Sequence, residues 1–157
     1  MKLDDLKDKE IEITEEGILK VVEKKKGKFI PENGIPYWFV NADGNVRYHI
    51  YTNDEIDIYV ISHHPVFFTK EEAEEYKHYL EVLDKYKHEF SAEEWEDENV
   101  EKLLLCFHAK SNELDFYHSY NLKFQNCIYF KSLEDAEDFI KEAGIENIKK
   151  FMFDVWE

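Results

Sequence analysis

Residues 66–76 read VFFTKEEAEEY, and residues 129–139 repeat that order of residue types as YFKSLEDAEDF. In both stretches an apolar pair leads to a hydroxyl residue, and an acidic residue follows three positions later. This spacing is typical of a helix N-terminus, because each side chain accepts a hydrogen bond from the other residue's backbone amide. Thr69 with Glu72, and Ser132 with Asp135, therefore predict two strand-to-helix junctions and a duplicated structural unit.

The sequence before the first junction predicts an antiparallel hairpin. Aromatic and β-branched residues fill positions 37–40 and 46–51, and the intervening positions 41–45 contain an Asp-Gly turn. Alternation of apolar and polar residues within 46–51 predicts that one face of this strand is buried. Isoleucine and valine alternate again at 56–60 and predict a third strand before the helix.

The second junction follows a similar pattern. An apolar run at 103–107, a turn at 110–112 and a return segment at 114–118 predict a hairpin, and 124–130 predict its third strand. The predicted fold is α+β, with two pseudo-repeated β-β-β-α units, antiparallel sheets and an N-terminal extension. The predicted divisions are 1–34 for the extension, 35–98 for the first unit with a short acidic helix, and 99–157 for the second unit.

The N-terminal extension is rich in lysine and glutamate. Apolar residues alternate with charged ones at 11–13, which indicates a strand, and we expect a hairpin around 15–17. Residues 24–28 form the sole basic cluster in the sequence. A solvated turn is the simpler interpretation of this cluster, and contact with an acidic partner is the alternative.

Composition limits the class of protein. The chain has 157 residues, 43% of them hydrophobic and 16% aromatic, which is too apolar for a disordered chain. No apolar run approaches the roughly 20 residues of a membrane span, and the charged N-terminus does not resemble a signal peptide. We therefore expect a cytoplasmic protein. Cys106 and Cys127 lie in apolar runs and are interpreted as reduced, small core residues.

Charge is the strongest functional signal. Thirty-six acidic residues oppose 20 basic ones, which gives a formal net charge of -16. Such a surface repels the phosphate backbone, so direct binding to nucleic acid is not expected. It favours basic partners, and a cleft that holds DNA or RNA is an extreme case of one. The alternative interpretation is that the charge serves solubility alone.

Two acidic clusters that contain or adjoin large apolar residues are the candidate interaction sites. Their carboxylates could imitate phosphates and pair with the Arg and Lys side chains that normally hold a nucleic acid. The alternative is a pair of solvated loops, with Trp95 buried as a helix anchor. The candidate protein-interaction residues are Asp54, Glu55 and Asp57 in the first cluster and Glu93, Glu94, Trp95, Glu96, Asp97 and Glu98 in the second.

The chain also resembles a family of small proteins. Residues 36–44, 64–74 and 128–136 are similar to small acidic proteins carried by phages and prophages of Firmicutes, in which an aromatic hairpin precedes a capped acidic helix, often twice. The resemblance covers roughly residues 30–155 and implies this fold and a phage origin. Some small acidic phage proteins are anti-defence inhibitors, including anti-CRISPR proteins, and the resemblance extends that role here only by analogy.

The sequence contains no motif of an enzyme. His63 and His64 are adjacent, which suits opposite faces of a strand rather than one metal ion. His108 and His118 could form a Cys–His pair with either cysteine, but no third group is evident. The chain has five glycines and no Gly-rich phosphate loop. We therefore expect no catalytic residues, no bound metal and no cofactor.

These observations lead to one hypothesis and two alternatives. The hypothesis is a phage-encoded, non-enzymatic inhibitor that binds a basic, nucleic-acid-handling host defence protein, such as a CRISPR-Cas effector, through an acidic surface that mimics nucleic acid. The first alternative is a sponge or enzyme for a nucleotide signal, which would need a basic or aromatic pocket that so acidic a chain is poorly equipped to build. The second is a structural or regulatory phage protein that forms a homodimer through exposed strand edges.

Overall fold

The fold is a mixed α+β arrangement of helices and small antiparallel sheets. Contacts between residues divide the chain into two compact units, one of Met1–Lys28 with Trp156–Glu157 and the other of Phe29–Val155. Both predicted repeats therefore lie within a single compact unit. The computed structural model describes residues 9–13, 19–23, 29–120, 123–124 and 127–156.

The N-terminal unit contains the predicted hairpin. Strand β1 (Lys9–Ile13) pairs antiparallel with β2 (Leu19–Glu23), with Ile11 opposite Val21. The predicted turn at 15–17 and the basic cluster at 24–28 lie outside the described residues.

The first repeat is a three-stranded antiparallel sheet followed by a long helix. Strands β3 (Pro36–Val40) and β4 (Val46–Ile50) form the predicted hairpin. Its turn ends at Gly44, whose φ of +73° is a conformation that glycine adopts without steric cost. A short helix intervenes before the next strand, and the strand order is β4-β3-β5. The later elements are α1 (Glu55–His63), β5 (Val66–Phe67) and α2 (Lys70–Tyr86).

The second repeat has an equivalent topology. It follows the short helix α3 (Ala92–Glu96), and its strand order is β7-β6-β8. Phe130 lies opposite Leu103, just as Phe67 lies opposite Trp38 in the first sheet. The two stretches that match in sequence therefore occupy equivalent places in the two sheets. The remaining elements are β6 (Lys102–His108), β7 (Glu113–Ser119), β8 (Tyr129–Phe130), α4 (Leu133–Ala143) and α5 (Ile145–Phe153).

The predicted helix starts are confirmed. Thr69 Oγ1 accepts the Glu72 N–H at 3.2 Å, and the Glu72 carboxylate accepts the Thr69 N–H at 3.3 Å. Ser132 Oγ accepts the Asp135 N–H at 3.1 Å. Gly144, with a φ of +83°, ends α4 and begins α5, and a residue with a Cβ would be strained there.

The largest hydrophobic core is shared between the repeats. Tyr79 and Val82 of α2 pack with residues of β6, β8, α4 and α5. One face of the second sheet lies against these helices, because Leu103 and Leu105 belong to this core while Leu104, between them, belongs to another cluster. The opposite faces of the two sheets pack against the short helices α1 and α3 respectively.

Four features of the strand predictions are wrong. The third strand predicted at 56–60 is helix α1, and β5 is the true third strand of that sheet. The helix begins there because Asp54 and Asp57 form a complete capping box, which an interpretation based on apolar alternation overlooks. In β4, Tyr48 and Ile50 are 63% and 50% exposed, so neither is buried. Of the residues described within the strand predicted at 124–130, only Tyr129–Phe130 form a strand, and Cys127 before them is exposed.

Candidate functional site

The two predicted acidic clusters both lie at short helices that cover a sheet face. The first cluster, at 53–57, forms the N-terminus of α1, where Asp54 and Glu55 are exposed. Asp57, in contrast, is fully buried beneath the helix. It contributes no charge to the surface, and its place in the predicted interaction site is therefore wrong.

Asp57 is the centre of a buried hydrogen-bond network. Its carboxylate accepts the Tyr37 hydroxyl at 2.8 Å and the Thr52 N–H at 2.7 Å, and His49 Nδ1 lies 3.0 Å away. Burial by itself opposes ionisation, but the hydrogen bonds from Thr52, Tyr37 and Asp54 outweigh it and hold the pKa of Asp57 well below its usual range. The hydrogen bonds of this carboxylate join α1 to the hairpin.

The outer surface of α1 is apolar rather than acidic. Ile56, Ile58 and Tyr59 are 58%, 59% and 58% exposed, and Ile61 is also exposed. Val60 is the apolar residue of this helix that enters the core. The first cluster therefore presents two carboxylates and an apolar helix face to solvent.

The second cluster, at 93–98, begins with a capping box. Glu94 Oε2 accepts the Ser91 N–H at 2.8 Å, Ser91 Oγ accepts the Glu94 N–H at 3.2 Å, and His88 Nε2 lies 3.4 Å from Glu94. The hydrogen bond from the Ser91 amide lowers the pKa of Glu94. Partial desolvation opposes this shift, and the hydrogen bond with His88 adds to it. Glu94 therefore holds the helix start in place and is half-buried.

Trp95 anchors α3 to the second sheet. Its ring meets those of Phe90 and Tyr129 edge-on, with centroids 5.7 and 5.1 Å apart. The ammonium of Lys102 lies 5.7 Å from the Trp95 ring centre and is fully buried. It donates to the backbone oxygens of Asp97 at 2.7 Å and Tyr120 at 2.8 Å, which fixes the end of the helix. Trp95 therefore contacts the sheet as an anchor of α3, but it is half-buried rather than buried.

The remaining carboxylates of this cluster face solvent, and we call Glu93, Glu96, Asp97 and Glu98 the α3 rim. Within the part of the chain that the structure describes, none of them lies within 4 Å of a lysine, arginine or histidine nitrogen. Asp97 accepts the Asn99 N–H at 2.9 Å, and this bond lowers its pKa. The α3 rim is thus a group of exposed carboxylates that form no salt bridge with a described residue, although the charge of Lys102 also lowers the pKa of Asp97.

A groove beside α3 was not anticipated from the sequence. It has a volume of about 710 Å³. Its walls combine aromatic rings with two lysines, which come from segments far apart in the chain and therefore left no local signal. The lining residues are Lys87, His88, Glu89, Phe90, Trp95, Lys123, Phe124, Cys127, Ile128 and Tyr129.

The histidines singled out in the sequence are dispersed. His63 stacks on Tyr59 at the end of α1, with centroids 4.4 Å apart. His108 lies 3.5 Å from Asp115, and His118 pairs with Glu101. Among the residues that the structure describes, no group of three or more His, Cys, Asp or Glu side chains is placed to hold a metal ion.

No helix in the described ranges combines the length and the apolar character needed to cross a bilayer. No protein-family model, curated protein or solved structure matches this chain. The functional assignment therefore depends on the surfaces described above.

Proposed function

We propose that this protein is a phage-encoded, non-enzymatic inhibitor that acts in the host cytoplasm on a basic, nucleic-acid-handling defence protein. The observation that carries the proposal is the α3 rim, four exposed carboxylates within six residues that form no salt bridge with a described residue. A cleft that holds nucleic acid offers Arg and Lys side chains, which form charge-assisted hydrogen bonds with carboxylates as they do with phosphates. The class of partner includes CRISPR effectors.

The scaffold beneath the α3 rim supports this role. A helix of five residues is not stable alone, but Trp95, the Ser91–Glu94 capping box and Lys102 hold it on the sheet. Carboxylates fixed in this way lose little conformational freedom on binding. The net charge of -16 adds long-range attraction, which accelerates encounter with a basic partner at low ionic strength.

The test is capture of nucleic-acid-binding proteins from lysates that carry defence systems, at low and high salt. We expect an effector that is retained at low salt, is lost at high salt and is displaced by nucleic acid. The variant E93Q/E96Q/E98Q should lose this effector. The matched control E134Q/E137Q/D138N removes the same charge from exposed positions of α4 and should retain it.

Two results would contradict the proposal. Equal loss of the effector with both triple variants would show that total charge, and not the α3 rim, controls binding. Retention of the effector by E93Q/E96Q/E98Q would assign the contact to another surface. Far-ultraviolet circular dichroism of each variant establishes that it is folded.

A second candidate function is sequestration of a nucleotide signal in the groove beside α3. The observation that favours it is the convergence of Lys87 and Lys123 on the rings of Phe90, Trp95 and Tyr129. The ammonium of Lys123 lies 5.7 Å from the Trp95 ring centre. Aromatic rings stack on nucleobases and ammonium groups pair with phosphates.

Titration calorimetry with mononucleotides and cyclic dinucleotides tests this second function. A nucleotide that binds the wild type and not K87A/K123A, while it still binds the control K110A/K131A, would support sequestration. Absence of binding to every nucleotide would contradict sequestration.

A further inference from the structure

Cys106 lies in β6, and Cys127 lies two residues before β8, which pairs with β6. In the pairing of β6 with β8, Leu103 is opposite Phe130 and Leu104 is opposite Tyr129. When this antiparallel register is continued by two residues, Cys106 falls opposite Cys127. Directly opposed residues in antiparallel pairs have Cα atoms about 4.5–5.5 Å apart, which lies within the range that a disulfide spans.

Both side chains also lie beside the same aromatic residues. Cys106 packs in the cluster of Phe90, Leu104 and Tyr129. Cys127 lines the groove together with Phe90 and Tyr129. Burial, followed by the nearby Cys127 and Asp115, raises the pKa of the Cys106 thiol.

The two thiols differ in their access to solvent. Cys127 is exposed, whereas Cys106 is half-buried. A reagent in solution therefore reacts with Cys127 first, because Cys106 is less accessible to solvent. This arrangement is typical of a dithiol with one reacting and one resolving cysteine.

We propose that Cys106 and Cys127 form a redox-responsive dithiol that closes to a disulfide between β6 and the segment before β8. The oxidant is a low-molecular-weight disulfide such as oxidised glutathione. This inference is independent of the proposed inhibitor function, since it rests on the strand register and the shared aromatic neighbours alone.

The reaction proceeds by two thiol–disulfide exchanges. The Cys127 thiolate attacks one sulfur of the small disulfide, which forms a mixed disulfide and releases one small thiolate that takes up a proton. The Cys106 thiolate then attacks the Cys127 sulfur, which forms the internal bond and releases the second small thiol. Two protein thiols are oxidised, and one small disulfide is reduced to two thiols.

Closure affects the groove, because Cys127 lies in its wall. The bond would tether the segment before β8 to β6 and reduce the freedom of that wall. Tyr129 lies two residues after Cys127, and its ring contacts Trp95, the anchor of α3. We therefore expect the oxidation state of the two cysteines to affect this anchor as well.

The experiment equilibrates the purified full chain with mixtures of reduced and oxidised glutathione, followed by acid quenching and mass spectrometry. We expect a product that has lost two hydrogens and a peptide that links Cys106 to Cys127. In urea the same mixtures should give roughly tenfold less of this product relative to glutathione adducts, because the fold supplies the effective concentration. In C106S, glutathione should accumulate on Cys127.

Either of two outcomes would overturn the proposal. One is a native wild type that collects glutathione on Cys127 without an internal bond. The other is a disulfide-linked dimer on non-reducing gels as the main product. The comparison of native and urea-treated wild type needs no substitution, so it decides the question even where C106S or C127S does not fold.

Discussion

Helices α1 and α3 are both short, both begin with an acidic capping box and both cover one face of a three-stranded sheet, yet their polarity is inverted. In α1 the acidic residue Asp57 faces inward and Ile56 and Ile58 face solvent. In α3 the apolar Trp95 faces inward and the carboxylates of the α3 rim face solvent. An acidic run in a sequence therefore gives the amount of charge but not the side of the helix on which the charge lies.

The two arrangements differ in how they stabilise the helix. Asp57 is tolerated in the interior because donors from Tyr37, Thr52 and Asp54 satisfy its oxygens. Trp95 stabilises α3 by burying apolar surface and by contact with the Lys102 ammonium. The contacts of Asp57 are specific and electrostatic, and those of Trp95 are mainly hydrophobic. Substitutions at the two positions should therefore have different effects on stability.

The largest effect is expected from removal of the Asp57 carboxylate. D57A leaves the Tyr37 hydroxyl and the Thr52 N–H without their acceptor, and we expect a loss of about 3 kcal/mol or more in the free energy of unfolding. Urea denaturation measures it, with E55Q on the exposed side of the same helix as the control. Equal urea midpoints for D57A and the wild type would mean that the buried network contributes nothing.

The equivalent substitution in α3 should have a smaller effect. W95A removes a half-buried ring, and we expect a loss of about 2 kcal/mol, below the range for fully buried aromatic residues. The same urea experiment measures this loss. If W95A destabilises as much as D57A, the inferred difference between the two anchors is not real.

Acid should distinguish the two helices further. Folding lowers the pKa of Asp57, so its contribution to stability is complete above the unfolded-state pKa of about 3.9 and is lost as the pH falls below that value. Urea midpoints measured between about pH 3 and pH 6 should therefore fall more steeply for the wild type than for D57N. Parallel curves would show that the carboxylate is not held in its charged form.

The smallest effects are expected on the outer surfaces. I58K in α1 should change the free energy of unfolding by no more than about 0.5 kcal/mol, because Ile58 is exposed. Sedimentation velocity of the wild type and I58K at several concentrations checks whether the apolar face of α1 mediates self-association. Concentration-dependent sedimentation that I58K abolishes would support a homodimer that forms through this face of α1 rather than through the exposed strand edges of the original alternative.

The sequence predicts the parts of the fold whose signals are local. The helix starts at Thr69 and Ser132 and the turn at Gly44 each depend on a few neighbouring residues, and all are confirmed. The repeat is confirmed for the same reason, because each copy contains a strand-to-helix junction of the same kind.

The errors arise where distant residues decide the outcome. Alternation at 56–60 is compatible with a strand, but the hydrogen bonds of Asp57 to Tyr37 and Thr52 stabilise a helix there. The exposure of Tyr48 follows from the position of β4 at a sheet edge, which depends on the pairing order. The groove also escaped prediction, since Lys87, Trp95 and Lys123 meet only in the folded chain.

The two repeats are similar in sequence but do not have separate interiors. Tyr79 and Val82 of the first repeat complete the hydrophobic core of the second. We therefore expect that neither repeat folds without the other. Substitutions should be tolerated best at exposed positions of α1 and α3, which lie outside this joint interior.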